Sequence, residues 1–228
     1  MFYYDPTYFL VLIGALISAA ASWNVRSTFE KYNRRARGGR TGRDVAEAIL
    51  QASGIHDVRI EMVQGSLSDH YSPKDKVLRL SQGVYNSASI AAIGVAAHEC
   101  GHAIQHNEDY LPLKMRSLSV PAANFGSWLS WPLILLGLVL GYGALAEIGV
   151  LLFTLVVAFQ LITLPVEFNA SRRAMAVLQG QGLLQGEELD GAGKVLRAAA
   201  LTYVAALFAA ILQLLRLVMI VGGRRRRD

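Results

Sequence analysis

The sequence has a single cysteine, Cys100, so an intrachain disulfide bond cannot form. This scarcity fits a protein of a reducing compartment. Positive charge is also missing ahead of the first apolar run, residues 8–23, whereas a cleavable signal peptide carries basic residues before its apolar core. The alanines at 19–21 are small enough for a cleavage site, yet the missing basic residues favour an uncleaved membrane anchor.

Charged residues make up only 17% of the chain, and hydrophobic residues make up 53%. This composition is too apolar for an ordinary soluble domain and too charged for a chain that lies wholly within a bilayer. We therefore expect one modest soluble domain attached to several membrane helices. The apolar segments offer only Gln213 and Arg216 as polar interior residues, which is too thin a lining for a transporter or channel.

The positive charge, +5 in net terms, is concentrated beside apolar segments. One basic cluster follows the first apolar run and consists of Arg26, Lys31, Arg34, Arg35, Arg37, Arg40 and Arg43. A second cluster, Arg224–Arg227, lies in the C-terminal tail. Because both flank apolar segments, the expected partner is the lipid bilayer and not nucleic acid. The first cluster also predicts that the following domain lies on the cytoplasmic side, with the N-terminus outside.

Further apolar stretches follow the soluble residues and an amphipathic connector at 112–126. Residues 128–164 are about twice as long as one span requires, which predicts a hairpin of two short spans with Glu147 at its turn. Residues 198–221 form a fourth apolar segment. If it crosses, the Arg224–Arg227 tail lies outside, against the usual charge bias, so a re-entrant or interfacial segment is the alternative.

The residues between the first anchor and the hairpin predict a small mixed domain. Residues 41–54 predict an amphipathic helix, with Thr41 and Asp44 at its start and Gly54 at its end. Residues 58–63 and 77–81 alternate apolar and polar side chains, as strands do, and a turn-rich stretch at 66–75 separates them. A long helix is expected over residues 88–107, capped by Asn86 or Ser87.

The most specific motif is His98-Glu99-Cys100-Gly101-His102, inside the predicted long helix. Residues four apart share one face of a helix, so both imidazoles can reach one zinc ion. Glu99 projects near the same face, where a carboxylate can take a proton from the water that attacks an amide carbonyl. Cys100 points away from both histidines and is expected to pack in the interior. The motif therefore indicates a zinc-dependent hydrolase.

A catalytic zinc site needs a third protein ligand. His106 lies one turn beyond His102, but three ligands on one helix at this spacing would be strung out along its axis instead of converging. Glu167 is the other candidate, in the first turn of a helix expected to begin after Pro165. An acidic residue at a helix start also interacts favourably with the helix dipole, so spacing leaves both interpretations of Glu167 open.

Four segments resemble the YugP-type neutral zinc metallopeptidases of bacterial membranes. They are residues 68–73 (SDHYSP), 80–87 (LSQGVYNS), 94–106 (GVAAHECGHAIQH) and 164–172 (LPVEFNASR). The resemblance extends over nearly the whole chain. It implies a gluzincin site in which His98 and His102 bind zinc, Glu99 is the catalytic base and Glu167 is the third ligand. It also implies a location in the bacterial inner membrane.

The site is also distantly similar to the HtpX and CAAX-protease group, from which it departs at one position. Those enzymes have an aspartate four residues after the glutamate ligand, where it supports a ligand histidine, and here that residue is Ser171. A serine hydroxyl can bond to an imidazole but lacks the charge that raises ligand basicity. Candidate donors to the oxyanion of the reaction are His70, Tyr71, Arg172 and Tyr203.

Together these features predict an α+β, mostly helical fold: a small zincin-like metallopeptidase domain with a short sheet, on three or four transmembrane helices. The expected parts are an N-terminal transmembrane anchor (1–25), a catalytic domain with the HExxH helix (26–127), a transmembrane hairpin (128–166), a second catalytic part with the third ligand (167–198), and a C-terminal membrane segment with the basic tail (199–228).

The predicted activity is zinc-dependent hydrolysis of peptide bonds in membrane proteins or their juxtamembrane segments. The substrate is expected to lie extended along the strand at 77–81, backbone against backbone. Membrane partner proteins or a homo-oligomer are compatible with this activity. The alternative is a zinc-binding membrane scaffold that does not cut, in which an intact Glu99 would serve no purpose.

Overall fold

The computed structural model describes residues 7–65 and 67–225, and the side chains of Arg224 and Arg225 are outside that description. The predicted placement of the Arg224–Arg227 tail therefore lies outside the described residues. The described elements are α1 (Tyr8–Tyr32), α2 (Gly42–Ala52), β1 (Arg59–Val63), β2 (His70–Ser72), β3 (Val77–Ser81), α3 (Gln82–Tyr85), α4 (Ile90–Asn107), α5 (Leu111–Leu140), α6 (Gly143–Gly180) and α7 (Gly186–Arg225). The mostly helical α+β fold with a short sheet is confirmed.

Two compact units make up the chain. The first, called the helical unit below, consists of Met1–Ser22, Met115–Leu164 and Thr202–Asp228. The second, called the sheet unit, consists of Trp23–Lys114 and Pro165–Leu201. The predicted domain limits at 127, 166 and 198 fall inside α5, α6 and α7, and they stay predictions.

The long helices α1, α5, α6 and α7 are, among the described residues, the four that are long and apolar enough to cross a membrane. Within the helical unit, α5 and α6 pack with their backbones close together, because a Cβ added at Gly126 would lie 2.7 Å from the carbonyl oxygen of Leu152. Two helices joined by a turn lie where the hairpin was predicted, although both extend beyond residues 128–164: α5 ends at Leu140, and Gly141 turns the chain with a φ of +76°. Glu147, however, lies inside α6 and not in the turn.

Several helices continue past the limits that composition predicted. The polar residues after the first span extend α1 to Tyr32, and the predicted connector at 112–126 is part of α5. The prediction that a helix begins after Pro165 is also wrong, because α6 runs through Pro165 without a break. Proline can lie inside an apolar helix when neighbouring groups satisfy the carbonyl it leaves unpaired. The fourth apolar segment is likewise the continuous second half of α7, which disfavours a re-entrant turn there.

The sheet unit contains a sheet that has, in the described residues, three strands in the order β1-β3-β2. β3 pairs in parallel with β1 and antiparallel with β2. The three-residue strand β2 lies in the stretch predicted to be a turn, because its run is too short to show alternation. The predicted start of α2 is confirmed by a capping box between Thr41 and Asp44.

The hydrophobic core of the sheet unit surrounds α4, most of which is buried. Side chains from α2, β3, α6 and α7 belong to the same core, among them Ile49, Leu78, Leu178 and Val195. The cap of α4 is Ser89, whose side chain accepts a hydrogen bond from the Ala92 N–H, so the predicted caps Asn86 and Ser87 are wrong by two or three residues. The motif helix is thus held in a rigid interior position.

Candidate metal centre

The motif helix α4 approaches α6 closely at Gly101. A Cβ added there would collide with the backbone carbonyl of Ala170, so only glycine permits this contact without a shift. Glu167 lies one turn before Ala170 on α6, and His98 and His102 lie one turn or less from Gly101 on α4. The backbone contact therefore holds the two histidines and the glutamate next to each other.

His98, His102 and Glu167 form a cluster whose ligand atoms all lie within 4.8 Å of one another. One carboxylate oxygen, Oε2 of Glu167, lies 3.2 Å from Nε2 of His98 and 3.7 Å from Nε2 of His102. His102 and Glu167 are buried, and His98 is partly buried. Two imidazoles and one carboxylate are the protein ligands of many catalytic zinc sites, which keep a fourth position open. The three residues are positioned to bind a metal ion.

Burial and charge act in opposite directions on His102. Burial by itself disfavours the imidazolium and lowers the pKa of His102, but the Glu167 carboxylate, Glu99 and the hydrogen bond to Gln105 together more than offset this. The net result is a raised pKa of His102. The carboxylate thus stabilises positive charge at the imidazoles, which is the electrostatic environment that a bound divalent cation needs.

The two other potential ligands near the motif face elsewhere. Nδ1 of His106 is hydrogen-bonded to the Tyr71 hydroxyl at 2.8 Å, in agreement with a structural role. Cys100 is fully buried, its thiol donates to the Ala46 carbonyl, and burial raises the pKa of that thiol. The expectation that Cys100 packs in the interior is confirmed.

Glu99 connects the motif helix with the sheet. Its Oε2 accepts a hydrogen bond from the backbone N–H of Tyr71 on β2, at 3.0 Å. This bond shows that the Tyr71 N–H points away from β3 and towards α4, as alternate N–H groups of an edge strand do. The carboxylate is therefore held at the open edge of the sheet.

The predicted substrate strand is wrong. β3 lies between β1 and β2, so both of its edges are occupied over Val77–Arg79, and the N–H of Ser81 donates to Asp69. An alternating pattern does not distinguish a central strand from an edge strand, because both strands present alternating faces. The open edge that faces Glu99 belongs to β2 instead.

His98 and His102 each have a polar partner at Nδ1, the ring nitrogen that does not face Glu167. Nδ1 of His98 lies 3.1 Å from Oγ of Ser171, so the serine contacts an imidazole as its position relative to Glu167 suggested. Nδ1 of His102 lies 3.0 Å from Oε1 of Gln105. The sequence interpretation missed Gln105, although a polar residue three positions after His102 in a buried helix was a usable signal.

Two of the candidate oxyanion donors, Tyr71 and His70, have other contacts. The Tyr71 hydroxyl is bonded to His106, and burial, with a smaller contribution from Asp57, raises the pKa of Tyr71 to about 12. His70 is exposed and its Nδ1 lies 2.8 Å from the Ser68 carbonyl oxygen. Arg172 is exposed, and Tyr203 lies on α7 in the helical unit. The oxyanion donor stays a prediction.

Comparison with known proteins identifies the family. A family model described as "Putative neutral zinc metallopeptidase" matches residues 7–222, nearly the whole chain. The chain belongs to this family. It is also 48% identical over 218 residues to the "Putative membrane protease YugP" of Bacillus subtilis (strain 168), a match that covers 95% of this chain and 97% of that protein. No solved structure matches the chain.

Membership of a zinc peptidase family agrees with the cluster. Zinc is the cofactor of the family, and the imidazole and carboxylate atoms of the site are donors that zinc accepts. The similarity to a membrane protease agrees with the four apolar helices, so the chain is a membrane protein of the zinc metallopeptidase family. The resemblance stated from the sequence motifs is confirmed.

Proposed function

We propose that this chain is a membrane-embedded zinc metallopeptidase of the gluzincin type that hydrolyses peptide bonds in membrane proteins or their juxtamembrane segments. The observation that carries the proposal is the convergence of His98 and His102 from α4 with Glu167 from α6, where the charge of Glu99 also acts on His102. In this proposal the first three residues bind zinc and Glu99 is the catalytic base.

The chemistry divides between the metal and the chain. When bound, zinc supplies a Lewis acid that polarises the scissile carbonyl and lowers the pKa of the attacking water. Glu99 takes the proton of that water and passes it to the nitrogen of the leaving amine. The Tyr71 N–H bond to Oε2 holds one carboxylate oxygen in place. In this proposal the opposite oxygen carries the proton.

The open edge of β2 is the proposed binding site for the substrate backbone. An extended peptide can add to an exposed strand through main-chain hydrogen bonds. β2 is an edge strand of the sheet, and because its Tyr71 N–H already donates to Glu99, the peptide would pair with the Tyr71 carbonyl oxygen. A peptide along this edge would bring one of its amide bonds next to the proposed base.

We further propose that the sheet unit lies on the cytoplasmic side of the bacterial inner membrane. The exposed basic residues between α1 and α2, among them Arg34, Arg37 and Arg40, support this orientation through the usual excess of positive charge on that side. Glu167 lies on α6, which is also a candidate membrane span, and this supports substrates that are themselves membrane-bound.

The decisive experiment compares the purified full-length protein with Glu99→Gln and Glu167→Ala. Glu99→Gln should retain zinc but lose about 10²–10⁴-fold in peptide hydrolysis, because the amide cannot accept a proton. Glu167→Ala should lose zinc affinity, whereas Glu187→Ala, the same change at an exposed residue of α7, should not. Zinc content and cleavage of casein and of a membrane-anchored substrate are the measurements.

Four results would contradict parts of the proposal. Undiminished cleavage by Glu99→Gln would refute the role of the base, and undiminished zinc affinity in Glu167→Ala would refute the ligand. Zinc binding without cleavage by the parent protein, across both kinds of substrate, would favour a scaffold. Equal rates on a membrane-anchored substrate and on its soluble counterpart would refute the substrate class.

A further inference from the structure

We infer that Gln105, Asn169 and Arg173 are positioning residues that fix the tautomer of His102, so that its Nε2 is available to the metal. None of the three touches the ligand atoms directly. The inference deepens the proposed function and rests on its assignment of His102 as a ligand. It follows from the donors and acceptors in a chain of hydrogen bonds between α4 and α6.

The chain of bonds begins at Arg173. A guanidinium group has only donors, so the atom of Asn169 that lies 2.7 Å from Arg173 Nε must be the carbonyl oxygen Oδ1. The side chain of Arg173 is held in turn by Glu108, because Nη1 of Arg173 lies 2.6 Å from Oε2 of Glu108. The orientation of the Asn169 amide is therefore determined by a charged neighbour.

The same oxygen determines the orientation of Gln105. Asn169 Oδ1 lies 2.9 Å from Nε2 of Gln105, and the backbone carbonyl oxygen of Val166 lies 2.8 Å from that nitrogen. Both neighbours are acceptors, so the Gln105 atom between them is the NH₂ group. Gln105 is fully buried, and a flipped amide would place its oxygen against two acceptors, which is costly without water.

With the amide fixed, Gln105 Oε1 faces His102. An amide oxygen only accepts, so Nδ1 of His102, at 3.0 Å, must carry the proton. In a neutral imidazole the other nitrogen then has the lone pair, and this Nε2 is the atom that faces Glu167. The network therefore presents His102 to the metal in its binding tautomer.

His98 provides an internal contrast. Its Nδ1 lies 3.1 Å from the hydroxyl of Ser171, and a hydroxyl can rotate to donate or to accept. Ser171 thus supports the ring without determining its tautomer. The two histidines differ in this respect, so the tautomer control acts at His102 alone.

The test measures zinc affinity by chelator competition in the full-length protein in detergent. Gln105→Leu should weaken zinc binding about 10- to 100-fold, the usual effect of removing a partner of a ligand. Asn169→Leu should weaken zinc binding by a smaller factor, because the Val166 carbonyl still accepts from the Gln105 amide. Asn169→Asp should retain the affinity of the parent, because a carboxylate oxygen also accepts from both Gln105 and Arg173. Gln179→Leu, at an exposed site of α6, is the matched control and should change nothing.

Two further measurements keep the test decisive if a buried substitution impairs folding. Arg173→Leu removes a partly exposed side chain and should weaken zinc binding by less than Gln105→Leu, since Val166 still orients the glutamine. The ¹⁵N spectrum of labelled histidine in the zinc-loaded parent should show His102 with zinc on Nε2 and the proton on Nδ1. Zinc on Nδ1 would overturn the inference.

The remaining outcomes separate the inference from the proposed function. If Gln105→Leu binds zinc as tightly as the parent while His102→Ala loses zinc, the inference is overturned and the ligand assignment stays intact. If Asn169→Asp binds zinc as weakly as Asn169→Leu does, packing matters at this position and the hydrogen-bond acceptor does not. This result would also overturn the inference. His102→Ala with the affinity of the parent would overturn the ligand assignment and both proposals with it.

Discussion

The absence of a side chain at Gly101 has a direct effect on the site. Gly101 stands between the two histidines of α4, and the Ala170 carbonyl of α6 occupies the space that a Cβ would need. Glycine in a helix costs about 1 kcal/mol relative to alanine, so its presence here requires a compensating contact. That contact is the close backbone approach that places Glu167 beside His98 and His102.

At the residue scale we expect Gly101→Ala to weaken zinc binding and to lower the melting temperature. The added methyl group forces α4 and α6 apart, and overpacking of this kind costs about 1–3 kcal/mol. Gly94→Ala is the matched control on the same helix, because its Cβ would lie at an ordinary 3.5 Å from Cβ of Ala192. Chelator competition and thermal unfolding would show the difference, and equal behaviour of the two variants would contradict the prediction.

Strand β2 has only three residues but contacts α4 at two points. The backbone N–H of Tyr71 binds Glu99, and the hydroxyl of the same residue binds His106, two turns further along α4. Hydrophobic alternation did not predict this strand, because pairing with β3 and contact with α4 define it. The element is thus created by its neighbours.

At the element scale we expect Tyr71→Phe to have a modest effect. It removes the hydroxyl bond to His106, worth about 0.5–1.5 kcal/mol, but keeps the backbone bond to Glu99. Zinc content should be unchanged and the free energy of unfolding should fall by about that amount. A loss of about 10²–10³-fold in kcat would instead identify the Tyr71 hydroxyl as an oxyanion donor.

Helix α6 combines membrane and site residues in one continuous element. Glu167 and Ser171 are four residues apart and both face α4, as the contacts with His98 show. Asn169 and Arg173, also four apart, are bonded to each other. Helical spacing therefore explains why the proposed ligand and its supporting residues occur together within one short segment of sequence.

At the scale of the whole molecule, the single cysteine makes the membrane orientation measurable. Cys100 is fully buried and burial raises the pKa of its thiol, so the parent chain should not react with a maleimide. Arg40 in the basic segment and Tyr142 in the turn between α5 and α6 are both exposed. New cysteines at these positions therefore test on which side of the membrane each segment lies.

We expect Tyr142→Cys to react with a membrane-impermeant maleimide in intact spheroplasts, and Arg40→Cys to react only after lysis. The physical reason is that the basic residues around Arg40 favour the cytoplasmic side, and one span of α5 separates them from Tyr142. Labelling intensity on a gel is the measurement. The reversed pattern would place the sheet unit outside. Labelling of the parent would show that Cys100 itself reacts, so that the new cysteines could not be read out separately.

The amino-acid sequence by itself determined the features that depend on local periodicity and chemistry. The spacing of His98 and His102, the capping box at Thr41, the hairpin turn at Gly141 and the apolar spans all follow from residues close together in the chain. Helix ends were predicted less well, since polar residues with good helix propensity continue a helix beyond its apolar segment.

Only the tertiary structure decided which distant residues meet. Oε2 of Glu167 lies 3.2 Å from Nε2 of His98, a residue 69 positions earlier in the chain. Spacing alone left the role of Glu167 open. The tertiary structure also decided the strand order β1-β3-β2, in which β2 and not β3 has the open edge. It likewise decided the hydrogen bond between Gln105 and Asn169. These contacts depend on the packing of α4 against α6 and the sheet, and no local pattern encodes such packing.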